Sequence, residues 1–181
     1  MIRLAGLSIG ELAAFVADHL HNKGIDVVLV GGACICIYSD NQYLSFDLDF
    51  ITTGMTNRRT IRLALEEIGF IEEQRYFKHP ETDFFIEFPS GPLAIGDEPP
   101  GEIATLSYPT GLLRLLSPTD SVKDRLAAYY HWKDWQSLEQ AVLVTADQQV
   151  DLVEVQRWSA REGFTEEFEA IRERFEKQRT G

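Results

Sequence analysis

Between Ser8 and Asn22 the apolar residues Ile9, Leu12, Phe15, Val16 and Leu20 recur three and four positions apart, which puts them on one stripe of a helix. Ser8, with Glu11 three positions later, forms a capping box, and Gly24 ends the segment. Asp26–Val30, DVVLV, reads as a short buried strand. Gly31-Gly32 follows at once, then the small and apolar ACICIYS, which reads as a helix. Over residues 43–51, YLSFDLDFI, the alternation is strict. Leu44, Phe46, Leu48 and Phe50 fall on one face and Ser45, Asp47 and Asp49 on the other, which predicts a strand. Thr56–Ile68 is a predicted helix closed by Gly69. Phe70–Phe77 and Asp83–Phe88 are predicted strands joined at HPET, and PSGPLAIGDEPPG is a Pro/Gly-rich loop. Ile103–Leu106 and Leu112–Leu116 are short strands. From Pro118 the pattern turns helical over 118–132, 134–147, 150–162 and 165–178, the last reading as an exposed helix of mixed charge.

This order predicts an α/β (α+β) fold, a small mixed sheet flanked by helices and followed by a C-terminal helical part. The expected division is a core over 1–117 and a helical region over 118–181 packed on it. With 181 residues, 44% of them hydrophobic and 25% charged, the composition is that of an ordinary globular protein. Such a chain needs no disulfide or zinc staple. No apolar run reaches the roughly 18 residues of a membrane span, so no membrane partner is expected. MIRLAGLSIGEL has none of the features of a secretory leader. Cys34 and Cys36, the only cysteines, suit a reducing cytoplasm. Twenty-nine acidic residues against 17 basic ones leave a net charge of −12. Broad binding to nucleic acid requires a cationic face, so any such contact here must be local or assisted by a metal ion.

The segment VLVGGACICIYSDNQYLSFDLDF carries the chemistry. Residues two apart on a strand project from the same face about 7 Å apart, so the Asp47 and Asp49 carboxylates can converge on one or two divalent cations. Magnesium favours a few carboxylates together with retained waters and substrate phosphates. Glycines at a helix start let the backbone approach a ligand and aim N–H groups at phosphate. Taken singly, the glycine pair is an ordinary tight turn and the aspartates are an ordinary solvated strand face. In combination they suit transfer of a nucleotidyl group.

With Gly31, Gly32, Asp47 and Asp49 in this order, the chain resembles the nucleotidyltransferase-fold superfamily. That resemblance implies a third carboxylate from a neighbouring strand. Glu87 in DFFIEFPSG is the candidate, with Asp83 behind it on the same predicted face. Two further matches make the chain most similar to the AbiEii/AbiGii-type toxin nucleotidyltransferases. Ser45, Asp47 and Asp49 fit a Ser-x-Asp-x-Asp pattern, and Lys123, Ala127, Lys133 and Asp134 fit a later motif. The resemblance implies an enzyme that moves an NMP from an NTP to an acceptor hydroxyl. Asp47, Asp49 and Glu87 would be its catalytic residues and magnesium ligands, with two Mg2+ ions taken up with the NTP. Gly31, Gly32, Ser45 and Lys123 would bind the nucleotide. The acceptor would be tRNA or protein, in a toxin–antitoxin or defence setting with an antitoxin partner.

Two other readings stand beside this one. One is a non-catalytic protein-interaction module on the same scaffold, favoured by the acidity and by Tyr43 where the toxin group carries Arg. The other is a transferase acting on a small molecule. The alternative role for Lys123 is a surface ion pair with Asp120 or Asp124. Thr119 or Asp120 is expected to cap the helix that starts at Pro118. The four histidines lack zinc-site spacing, both cysteines read as core thiols, and Tyr129, Tyr130, Trp132 and Trp135 read as packing between helices. Arg58, Arg59 and Arg62 read as a solvated helix face.

Overall fold

The computed structural model describes residues 3–178. Its spine is a mixed sheet with strand order β3-β4-β5-β2-β1-β7-β6. Helix α1 (Ile9–Asn22) opens the fold with the expected reciprocal Ser8–Glu11 capping box and buries Leu12, Val16 and Leu20 completely. It leads into β1 (Val27–Val30), an inner strand, then α2 (Gly32–Tyr38) and β2 (Asp47–Thr52), the central strand of the sheet. Strand β2 runs antiparallel to β1, with Val30 opposite Asp49.

After α3 (Arg58–Glu66) come the edge strand β3 (Ile71–Glu73) and the inner strands β4 (Tyr76–Lys78) and β5 (Phe85–Glu87). Strand β5 lies parallel to β2 and sets Glu87 beside Asp49. Strand β4 is antiparallel to β5, with Tyr76 opposite Glu87. On the other flank β7 (Gly111–Leu116) runs parallel to β1, and β6 (Ile103–Tyr108) pairs antiparallel with β7. Helices α4 (Pro118–Trp132), α5 (Trp135–Asp147), α6 (Leu152–Arg161) and α7 (Thr165–Gln178) complete the chain. The fold is the α/β architecture expected from the pattern.

Four local expectations are corrected. The strand predicted over 43–51 begins only at Asp47. Asp40 and Asn41 take positive φ values of 48° and 63° in the turn after α2, and Leu44 and Phe46 beyond it are 66% and 54% exposed. The single strand predicted over 70–77 is a hairpin, because Gln74 adopts φ 59° and folds β3 back on β4. The cap of α4 is Ser117, whose side chain accepts the Asp120 N–H, while Asp120 is turned inward. Finally, α7 is not simply exposed: Phe168, Ile171 and Phe175 are buried. The mixed charges mask a three- and four-residue apolar spacing that packs into the same continuous core as the sheet.

Candidate functional site

The acidic residues gather at the C-terminal end of β1, where the chain turns through Gly31-Gly32 into α2. On β2 and β5 the residues facing one side, Leu48 and Ile86, are fully buried. The intervening Asp47, Asp49 and Glu87 face the other way and stay partly accessible. The parallel register puts Asp49 and Glu87 side by side, and Asp47 lies two residues along β2 on the same face. Thus the three acids of the sequence reading come to one side of the sheet. Asp83 does not join them: it precedes β5 and is exposed.

Gly31 closes the back of this row. It has φ 71°, and a Cβ placed on it would lie 2.8 Å from Asp49 Oδ2. The carboxylate therefore fills space that any other residue at 31 would take. A Cβ on Gly32 would meet Ser45 Oγ at 3.1 Å and the Tyr43 ring at 3.5 Å. Ser45 is buried, and its hydroxyl donates a short hydrogen bond to Asp47 Oδ1. Gly31 caps α2 without a side-chain hydrogen bond.

The electrostatics follow from this crowding. Burial and repulsion by Asp47 and Glu87 push the Asp49 carboxyl up to about 7, with Arg125 pulling the other way. Such a group stands near neutrality in need of a positive partner. Hard carboxylate oxygens on one face suit a divalent cation that keeps water and phosphate ligands, so the donor set fits magnesium in kind. Among the described residues no group of three His, Cys, Asp or Glu side chains is already closed tightly enough to hold a metal. Two of the three acids have other partners: Ser45 holds Asp47, and Arg75 pairs with Glu87 at 3.3 Å.

Lys123 lies elsewhere. Its side chain is 3% exposed, and its ammonium pairs with Asp120 at 2.8 Å and Glu154 at 3.1 Å. Burial disfavours its charge, but the hydrogen bonds to these two carboxylates outweigh that and hold it above the ordinary lysine range. The expected reach to a triphosphate is replaced by an internal ion pair between α4 and α6, with Asp120 from one of the pairings weighed beforehand. Lys133 ends α4 at φ 53°, and Asp134 caps α5. These two motif positions serve the turn between the helices.

Two cations missing from the sequence reading stand close to the acids. Arg75 was hidden inside a supposed continuous strand, although the polar run EEQR marks a turn. Arg125 lies on α4, two residues beyond Lys123, where no local pattern marks it. Its guanidinium donates to Asp124 and Gln140 and acts on Asp49 through space. The cysteines are core thiols, burial pushing Cys34 up to about 12. Tyr129 packs edge-on against Trp135 at 5.1 Å, while Trp132 is 82% exposed. Arg58 pairs with Glu72 and Arg62 with Glu66.

No protein-family model matches the chain, and no curated protein matches it. Solved structures do. An antigenic nucleotidyltransferase-like protein from Paracoccidioides brasiliensis aligns with TM-score 0.60 at 14% identity, over 96% of this chain and 94% of that one. The solution structure of the antibiotic-resistance factor ANT(2'')-Ia aligns with TM-score 0.53 at 15% identity, over 91% and 95% of the two chains. A crystal structure of ANT(2'')-Ia in complex with adenylyl-2''-tobramycin gives 0.54 at 15% identity, over 85% and 95%. At these identities the likeness is one of fold. The chain has the fold of nucleotidyltransferase-like proteins across nearly its whole length. Among the described residues no helix is long and apolar enough to cross a membrane.

Proposed function

We propose that the protein is a metal-dependent nucleotidyltransferase that moves an NMP from an NTP to an acceptor hydroxyl and releases pyrophosphate. The observation that carries this reading is the side-by-side placement of Asp49 and Glu87, with Asp47 on the same face, at the mouth of the Gly31-Gly32 turn. Asp47, Asp49 and Glu87 would hold Mg2+, two ions with the NTP. Bound there, the metal supplies charge neutralisation and activation of the attacking oxygen.

The chain's own residues do the rest. Gly31 leaves room for the Asp49 carboxylate, and Gly32 leaves room for Ser45 and the Tyr43 ring. Ser45 fixes the Asp47 carboxylate by its hydroxyl hydrogen bond, so this acid meets its ligand already oriented. Glu87, beside Asp49 on the neighbouring strand, would accept the proton from the acceptor hydroxyl. The raised affinity of Asp49 for a proton makes it the acid that gains most from a nearby cation.

For the acceptor, the net charge of −12 and the aminoglycoside-type precedent named in the tobramycin complex support a small cationic molecule. The sequence resemblance supports tRNA or protein within a toxin–antitoxin pair. Incubation with radiolabelled NTPs, Mg2+ and separate pools of tRNA, protein and polyamine-like antibiotics tests both. Label on any pool that disappears with Asp47→Ala supports transfer. Absence of NTP binding by the wild type supports the non-catalytic interaction module.

A further inference from the structure

Lys123, the phosphate-binding cation that the resemblance implies, is locked between Asp120 and Glu154. Arg125 is also committed, to Asp124 and Gln140, with its side chain 20% exposed. Arg75 differs from both. Its side chain is 68% exposed, and it meets the acidic row from outside through Glu87. Its Nε stands 3.3 Å from Glu87 Oε1, longer than the roughly 2.7–2.9 Å of a strong charge-assisted bond. The guanidinium lies 4.7 Å over the Tyr76 ring and donates to the Tyr76 hydroxyl.

Its backbone, by contrast, is held. Gln74 makes the turn at φ 59°, and Arg58 Nη2 donates to the Arg75 carbonyl at 2.9 Å. Arg58 is itself tied to Glu72 at 2.5 Å. A fixed anchor thus carries a largely exposed cation beside the acidic row. A guanidinium presents a planar fork of N–H donors that matches phosphate oxygens two at a time.

We propose that Arg75 is the residue that grips the triphosphate at this acidic row, resting on Glu87 until a divalent cation takes that carboxylate. This rests on the nucleotidyltransferase reading above. Cation and arginine compete for Glu87, whereas arginine and phosphate attract. Removal of Arg75 therefore has two effects of opposite sign.

The test uses the full chain with Mn2+ alone and with inorganic tripolyphosphate plus Mg2+, so that no base need be known. Arg75→Ala is expected to bind Mn2+ a few-fold more tightly and Mg2+–tripolyphosphate roughly ten- to a hundred-fold more weakly. Arg75→Lys, which keeps the charge and loses the fork, is expected to fall between. Circular dichroism of each variant controls for folding. Unchanged affinities in Arg75→Ala, or a fall in both together, overturn the proposal. Wild-type protein that binds neither probe overturns the nucleotidyltransferase reading itself, and with it the role of Arg75.

Discussion

Gly31 and Asp49 share one volume: a Cβ on the glycine would stand 2.8 Å from the Oδ2 of the aspartate. The contact joins two features that are far apart in the chain. Gly31 ends β1 and starts α2, and Asp49 lies on β2 opposite Val30, the preceding residue. The positive φ of 71° at Gly31 is what bends the chain around the carboxylate.

Gly31→Ala is therefore expected to displace Asp49 and to strain the turn. The expected cost is about 1–2 kcal/mol of stability from the left-handed backbone alone, with a much larger loss of transfer activity. Urea unfolding and single-turnover transfer measured on the same variant check this. Full activity in Gly31→Ala would show that the Asp49 position is not needed.

Asp49→Asn separates function from stability. The folded-state carboxyl titrates at about 7, raised by burial and by the Asp47 and Glu87 charges. A raised carboxyl binds its proton more tightly in the folded state, so metal-free protein loses stability as pH rises from about 4 through 7. Asn removes that ionisation. At pH 8 in EDTA, Asp49→Asn is expected to be more stable than wild type by about 1–3 kcal/mol, while transfer and Mn2+ binding are lost. Thermal melts at pH 5 and pH 8 give the comparison, the gap between the two proteins closing at the lower pH.

Much of this site was legible in the sequence because its signals are local. The alternation around Asp47 and Asp49 and the Gly31-Gly32 pair are carried by neighbours in the chain, and the sheet and helices follow the same periodicities. What escaped was the part set by folding. Phe70–Phe77 has the apolar content of one strand, and only the left-handed Gln74 divides it and swings Arg75 toward Glu87. Leu44 and Phe46 continue the alternation, yet both side chains are exposed, although the Phe46 carbonyl accepts the Phe85 N–H of β5. Lys123 has the spacing of a ligand-binding residue, but its partner Glu154 is 31 residues away on α6 and nothing local announces it.

Lys123→Met tests that partnership. The lysine and Asp120 are both 3% exposed on their side chains, and removing one member strands the other charge in the interior. A loss of about 3–5 kcal/mol is expected from breaking such a buried pair. Lys123→Met with Asp120→Leu is expected to recover much of it, although Asp120 also accepts the Gly101 N–H at 2.7 Å. Tripolyphosphate affinity of the folded single variant is expected to equal that of wild type. A selective fall in that affinity would return Lys123 to the nucleotide site.

Acid weakens the ion pairs where Glu154 meets the basic residues around it. Hydrogen bonds from Arg157, then from Lys123, hold its carboxyl down at about 2, against an opposing effect of burial. A depressed carboxyl contributes stability that is present above its unfolded value, near 4.5, and is lost as pH falls toward 2. Glu98 is shifted the same way, chiefly by its hydrogen bond from Arg157. Arg157 pairs with Glu154, its neighbour on α6, at 2.6 Å and with Glu98 at 2.7 Å, so protonation of Glu98 loosens its loop from α6, whereas protonation of Glu154 weakens the pair that joins α6 to Lys123 on α4. Glu154→Gln is thus expected to melt lower than wild type at pH 7 and to vary less between pH 5 and pH 2.5, the two curves converging at the acid end. A wild-type melting temperature that stays flat over that window would mean that the ion pairs are screened too strongly by solvent to hold α6 in place.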